Sequence, residues 1–532
     1  MNGYLIALLV FLGWLALVIA ARRTGWLEKH SMSLMGPIIM WRTRKGRVLI
    51  DRISRYERAW TLFGKASLWI CAGAMVTMMV LLLWQATIVP KIEKAPSPEL
   101  ILGVPGINPI IPIGYGILGL AVAMVVHEFS HGIMTRIGRM KITSLGILFL
   151  VFPIGAFVEP DNKELEETTR RKRSKVFAAG PASNIIFALV TLGLFSGVMM
   201  SAAVPVDEGA LVVGVVEESP ASLAGLSPYT VVTHIDGNSV TSADDVEERE
   251  ADPGALVNVT YRLGGEEIVA TDVADGLVVA YVVDDYGAAE AGLDAGMVIA
   301  SLDDTLLTNI DALRAVMEET RSGQVVNVTV MSLDEETGVY VVDNDISEVR
   351  LSDKYEFYEE FYPDENEPSF EGKGYLGAGF LMLGIDVREP DHYANQLAHP
   401  FRGDRSIGDF SMSWLRLIAL PFLDLAPLRS PVTDLYEPGG GLAWLPDEVF
   451  WVLTNSLYWI FWINLMLGLT NVLPAVPLDG GYIFRDGMDY TLSKLNKNST
   501  KEQRDRTTAS VTMFLALLVL FLILWQLIGP RL

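Results

Sequence analysis

The chain reads as a polytopic α-helical membrane protein of six spanning helices, with a re-entrant β-hairpin and an acidic α/β region inserted after the fourth span. Three observations lead there. Apolar runs long enough to cross a hydrocarbon core fall near 3–21, 66–89, 113–137, 176–201, 449–473 and 509–528. Charge is segregated: Pro205 to Arg350 holds 30 Asp and Glu against 5 Lys and Arg, while Ala21 to Lys65 holds eleven Lys and Arg against Glu28, Asp51 and Glu57. A strand–Ala-Gly-Leu–strand pattern also occurs twice inside the acidic block.

Composition agrees. The 532 residues are 51% hydrophobic and 20% charged, with mean hydropathy +0.34. That is too apolar for a soluble enzyme and too charged for a chain that is membrane throughout. The net charge of −23 and the acidic exposed block argue against nucleic acid as a partner. The single cysteine, Cys71, excludes an internal disulfide framework and reads as a small buried hydrophobe. The run Tyr4–Ala21 lacks a preceding basic region and is followed by Arg22-Arg23, so it reads as a retained membrane helix rather than a signal peptide.

Basic residues belong on the cytoplasmic side. Loop 22–65, the run Arg170-Arg171-Lys172-Arg173-Ser174-Lys175, and the group Arg485, Lys494, Lys497, Lys501, Arg504 and Arg506 all fall inside if the N-terminus is outside. The acidic block 202–408 then falls outside. Residues 143–158 are too short for a comfortable span and are broken by Gly146, Pro153 and Gly155. If they crossed, the basic run 170–175 would land outside, so a re-entrant hairpin is expected, sheltered by protein or water. Residues 410–428, interrupted by Arg416, Pro421 and Asp424, are expected to form an amphipathic helix at the outer interface. A further span is the alternative for each.

The third span contains His127-Glu128-Phe129-Ser130-His131. On a helix the two imidazoles lie one turn apart on one face, the spacing for a shared zinc, with Glu128 beside them to take a proton from water. Ionisable groups at bilayer depth are costly and therefore point to function. A hydrolytic site needs a third protein ligand and an open position. Glu164, Glu166 and Glu167 are candidates, but they sit in a very polar loop. Asp479, in Asn471-Val472-Leu473-Pro474-Ala475-Val476-Pro477-Leu478-Asp479-Gly480-Gly481, is the stronger one. It has two readings, a helix N-cap and a ligand. Topology favours the second: His127 lies 14 residues into span three, roughly 21 Å down, and Asp479 follows the inner end of span five.

HEFSH in one span with NVLPAVPLDGG after a later one resembles the site-2 protease family of intramembrane zinc metalloproteases. Gly180-Pro181-Ala182-Ser183-Asn184 resembles a further signature of that family. The resemblance covers the membrane core, about half the chain. It implies His127, His131 and Asp479 as ligands of one Zn2+ and Glu128 as general base. It implies substrate contacts at Asn471 and Pro474, with Asn471 equally readable as a helix-capping residue. It implies, too, that the hairpin offers a strand edge to an unwound substrate helix; Gly146 and Phe149 are its candidate contacts, and a structural plug is the alternative. Cobalt or iron would suit the same donors.

In the exposed block, Glu218 to Leu226 with Val231–Val240, and Ala288 to Leu293 with Val298–Leu307, are each preceded by a Val-rich run and followed by a helical stretch. The two units resemble tandem PDZ-like domains, over 205–272 and 273–350. They depart from the pattern at Pro228-Tyr229 and Gly296-Met297, which leaves peptide binding and a steric filter both open. His234 reads as an ordinary strand residue. The aromatic, acidic segment within 351–430 is expected to clamp the modules to the amphipathic helix. The remaining domains are the membrane parts 1–201 and 449–532.

The function expected is cleavage, within the bilayer, of a single-pass transmembrane protein already trimmed by an upstream site-1-type protease. A non-catalytic membrane scaffold with a structural zinc is the alternative. The location expected is the cell membrane, with the PDZ-like region extracytoplasmic and the active site toward the cytoplasmic half. A zinc carrier is disfavoured because no inverted repeat is evident.

Overall fold

The computed structural model describes residues 3–531 apart from 44, 92–94, 96, 102, 335–336, 338, 344–345, 347, 404–405 and 496–499. Lys497, counted above among the basic residues, lies outside the described residues. The chain divides into two compact units, one of Met1–Met199, Gly403–Pro427 and Trp451–Leu532, the other of Met200–Arg402 and Leu428–Phe450.

The first unit carries α1 (Gly3–Arg23), α2 (Glu57–Ile88), α3 (Ile113–Ile137), α4 (Arg170–Leu194), α5 (Ile407–Ala419), α6 (Asp447–Asn471), α7 (Asp479–Leu495) and α8 (Lys501–Ile528). Among the described residues, five helical runs, those of α2, α3, α4, α6 and α8, are long and apolar enough to cross a membrane. Their burial is unequal: half of the apolar window of α3 and 56% of that of α6 are buried, against 17% in α2 and α8. The first pair is therefore interior and the second peripheral. Small residues make the interior contacts possible. A Cβ on Gly119 of α3 would stand 2.9 Å from the Trp459 carbonyl of α6, and one on Gly468 of α6 would stand 3.1 Å from the Pro181 carbonyl of α4.

The expected hairpin is present as β3 (Ile142–Leu150) and β4 (Phe152–Pro160), antiparallel, with Leu145 opposite Val158. It is not alone. Residues taken above for a basic loop form β1 (Met32–Met35) and β2 (Ile38–Thr43), making a sheet of order β1-β2-β3-β4. The signal was the Gly36-Pro37 turn between two short apolar runs, with Gly36 at φ +61°; each run is too short to register as a span. The edge beside the helices is β4. The amphipathic helix is α5, which stops at Ala419 rather than running to 428, because Pro421 has no N–H with which to continue the helical ladder. It leaves Ile407, Phe410, Met412 and Leu415 exposed and buries Leu417. Tyr458 Oη donates to the Leu417 carbonyl at 2.8 Å and Trp462 Nε1 to that of Ile418 at 3.0 Å, joining α5 to α6.

Among its described residues the second unit holds two large antiparallel sheets, beside two small two-stranded ones. In chain order the main strands of the large sheets are β5 (Ala210–Val215), β6 (Val231–Ile235), β7 (Leu256–Leu263), β8 (Glu266–Ala274), β9 (Leu277–Val282), β10 (Val298–Leu302), β11 (Val325–Asp334), β12 (Val339–Val342), β13 (Ala378–Met382) and β14 (Ile385–Arg388). The main strand orders are β8-β7-β6-β5-β14 and β12-β11-β10-β9-β13. Each sheet is thus closed by a strand from 378–388, far along the chain, and the second module is nested within the first. Tyr229 and Gly296 occupy the same place in the two repeats, and both take positive φ, +70° and +92°. Tyr340 Oη donates to the carbonyls of Glu218 and Gly296, tying one repeat to the other. The aromatic segment packs on the second module: Phe357 lies 4.3 Å from Tyr375 and 5.5 Å from Tyr286, ring to ring.

Candidate metal centre

An α-helical turn separates His127 from His131, and both project from the buried face of α3. Their Nε2 atoms lie 3.0 Å apart. Asp479, first residue of α7, brings Oδ2 to 3.1 Å from His127 Nε2 and 3.3 Å from His131 Nε2. Both imidazoles are buried, at 8% and 9% exposure. Asp479 is delivered by a tight return of the chain after α6. A Cβ on Gly480 would lie 2.1 Å from the Val472 carbonyl, and one on Gly481 2.6 Å from the Ala475 carbonyl carbon. Only glycine lets α7 begin so close to the loop that precedes it.

These donors suit a zinc ion. Tetrahedral ligands about 2.0–2.1 Å from zinc stand about 3.3 Å from one another, and the three atoms here are 3.0–3.3 Å apart. The ring orientation agrees. His131 Nδ1 is 2.7 Å from the Val176 carbonyl of α4. A carbonyl only accepts, so Nδ1 carries the hydrogen and Nε2 presents a lone pair. That lone pair, the His127 Nε2 and a carboxylate converge where a cation would be held.

Glu128 is half-buried, and its Oε2 accepts from the Val158 N–H of β4 at 2.8 Å. A cavity of about 430 Å3 is lined by His131, Asp479, Val158, Pro160, Tyr482 and Arg485, among others. The strand edge and the metal-binding donors therefore border the same space.

The remaining candidates are not among the three converging donors. Glu164 accepts from the Lys141 N–H and pairs with its ammonium, and Glu166 lines the cavity. Asn471 turns its amide back to the Leu467 carbonyl at 3.1 Å, and Pro474 is buried in the loop behind α7. Gly146 and Phe149 are on β3, flanked by β2 and β4, so neither offers a free backbone edge. Phe149 packs with Val18, Leu27 and Ile39. Sequence reasoning passed over a clamp on α7. Arg173 of α4 forms an ion pair with buried Asp486, its Nε 3.0 Å from Oδ2, and Arg170 pairs with Asp489. Asp486 is seven residues, two turns, beyond Asp479, a spacing legible as one helix face.

The family comparison decides the class. A family model described as Peptidase family M50 matches residues 115–520. The chain belongs to this family, that of the site-2 proteases. Its match contains every donor of the centre. Among similar proteins, an uncharacterized protein of Methanocaldococcus jannaschii is 29% identical over 39% of this chain and 54% of its own length. A Clostridium perfringens protein named "Putative zinc metalloprotease" is 27% identical over 25% of this chain and 40% of its own. The matches thus span about half, or less, of those relatives. With five helices among the described residues long and apolar enough to cross a membrane, this M50 member is a multi-pass membrane protein.

Proposed function

We propose that this M50 member is a zinc-dependent endopeptidase that cuts transmembrane helices of single-pass proteins inside the bilayer. The convergence of His127, His131 and Asp479 from two separate helices carries the reading. These three would hold the ion. A bound zinc would polarise the scissile carbonyl and lower the pKa of a water. Glu128, next to His127 in the chain, would take that water's proton and return it to the leaving nitrogen. The Val158 N–H holds the Glu128 carboxylate in place meanwhile. Because Val158 spends its N–H on Glu128 rather than on β3, its backbone faces the open edge of β4, and so does that of Ala156 two residues before it. An unwound substrate segment would pair there, which moves the expected substrate edge from β3 to β4.

The rest of the reading follows the charge distribution. With α1 added to the five runs the protein would cross six times, in the cell membrane, with the cytoplasmic half holding the centre. The second unit would be extracytoplasmic and PDZ-like. A groove of about 790 Å3 lies between the helix Ile310–Glu319 and the edge strand β13, lined also by Lys354 and Lys373. It supports docking of a peptide, such as an end left by an upstream protease, over a purely steric filter.

The deciding test is cleavage of tagged single-pass proteins in proteoliposomes by wild type and Glu128→Gln. Loss of cleavage with zinc retained is expected. Equal cleavage by both would end the proposal, and no cleavage by either would favour the scaffold reading.

A further inference from the structure

The Gly180-Pro181-Ala182-Ser183-Asn184 segment has no part in the mechanism above, yet α4 is the helix packed on the imidazole pair. Val176, Gly180 and Asn184 are spaced four apart, so they form one stripe along its face. Val176 supplies the carbonyl that accepts from His131 Nδ1 at 2.7 Å. Gly180 sits opposite the Nε2 atoms themselves. A Cβ there would lie 2.5 Å from His131 Nε2 and 2.6 Å from His127 Nε2, so α4 could not approach with any larger residue. Asn184 is fully buried, and its Nδ2 stands 3.4 Å from His127 Nδ1.

That last contact is mismatched in one respect. If His127 Nε2 presents a lone pair to a cation, its Nδ1 carries the hydrogen and needs an acceptor. Amide nitrogen cannot accept. Asn184 Oδ1, meanwhile, is buried with no hydrogen-bond partner. Turning the amide end for end gives Nδ1 an acceptor and Oδ1 a donor, and hydrogen bonding decides between the two orientations. Oδ1 then accepts from His127 Nδ1–H, as the Val176 carbonyl accepts from His131 Nδ1–H.

We infer that Asn184 is a positioning residue for the metal centre, its side-chain carbonyl selecting the tautomer and ring orientation in which His127 offers Nε2 to the ion. The inference rests on the proposed zinc site. Helix α4 then serves as a template: Val176 orients one ligand, Asn184 the other, and Gly180 leaves the space between them. Outer partners of this kind are worth about 10- to 100-fold in metal affinity.

The test is zinc affinity of the full-length protein in detergent, by competition with a chromophoric chelator, together with the visible spectrum of the cobalt-loaded form. Asn184→Leu keeps the volume and loses the acceptor; it should bind zinc about 10- to 100-fold more weakly and shift the cobalt bands, with thermal unfolding of the metal-free protein little changed. Asn184→Asp keeps an acceptor and should recover most of the affinity. Wild-type affinity and an unshifted spectrum in Asn184→Leu would overturn the inference. So would Asn184→Asp binding as weakly as Asn184→Leu, which marks a packing role only. Should the leucine variant not fold, Asn184→Ser, too short to reach Nδ1, is read in the same way. A wild type that holds no zinc overturns the metal site and this inference together; a zinc-loaded wild type with an indifferent Asn184→Leu overturns this inference alone.

Discussion

Glu128 and Val158 are joined by a hydrogen bond of 2.8 Å from the Val158 amide to the Glu128 carboxylate, across the gap between α3 and the edge strand β4. The residue read as the base is thereby held by the same strand edge that would receive the substrate. Val158→Pro removes that N–H at an edge position where proline is tolerated. Zinc content should be unchanged and kcat should fall about 10-fold or more, since a charge-assisted hydrogen bond contributes about 1.5–3 kcal/mol. Single-turnover cleavage in proteoliposomes separates this from a binding defect.

Replacing the base should be more severe. Glu128→Gln removes proton transfer but none of the three metal donors, so zinc stoichiometry should stay at the wild-type value. Cleavage should drop by about 10²- to 10⁴-fold. Asp479→Ala should behave differently and lose zinc as well as cleavage, because two imidazoles alone leave the ion short of a ligand. Elemental analysis of both purified variants distinguishes them.

The ion pairs behind α7 should matter to the centre at a distance. Asp486 is 3% exposed and Arg173 17% on their side chains. Removing one partner leaves a buried charge unmatched, at a cost of about 3–5 kcal/mol for a fully buried pair and less here. Asp486→Ala should therefore lower the unfolding temperature in detergent and weaken zinc binding by releasing the helix that carries Asp479. The double variant Arg173→Ala/Asp486→Ala should be less harmful than the sum of the two, as a coupled pair requires.

In the second unit, Tyr340 gives a pH signature. Burial, and then the nearby Glu218 carboxylate, push its phenol up to about 12 from an ordinary value of 10.0. The folded form therefore keeps the proton where the unfolded chain loses it. Stability should be level below pH 10 and decline as pH rises from 10 toward 12. Tyr340→Phe should cost about 1 kcal/mol at neutral pH, from the hydrogen bonds to Glu218 and Gly296, and should lessen that alkaline decline. Thermal melts across the pH range read both effects.

Much of this was legible in one dimension because the underlying signals are local. A spanning helix announces itself by length and apolarity, and the runs at 66–89 and 113–137 did so, although the first of these helices begins earlier, at Glu57. The His127/His131 pair needs only the pitch of a helix. Asp479 was within reach since the orientation expected from charge placed both chain positions at a similar depth. The β1–β2 hairpin was overlooked because its strands are short and lie in a basic stretch, where charge outweighed alternation. The break of α5 at Pro421 was present in the sequence but set against a longer apolar run.

Other features exist only once helices have packed. Nothing local in 176–184 says that Val176, Gly180 and Asn184 face two imidazoles some fifty residues earlier. Nothing in Val158 says that its amide meets Glu128, or in 378–388 that those residues close two separate sheets. Periodicity encodes which face of an element is apolar, and hydrophobicity drives that face inward without choosing its neighbour. The neighbour is chosen by close packing, where a Cβ on Gly180 or Gly480 would fall under 3 Å from the facing atoms, so that any side chain there would forbid the approach.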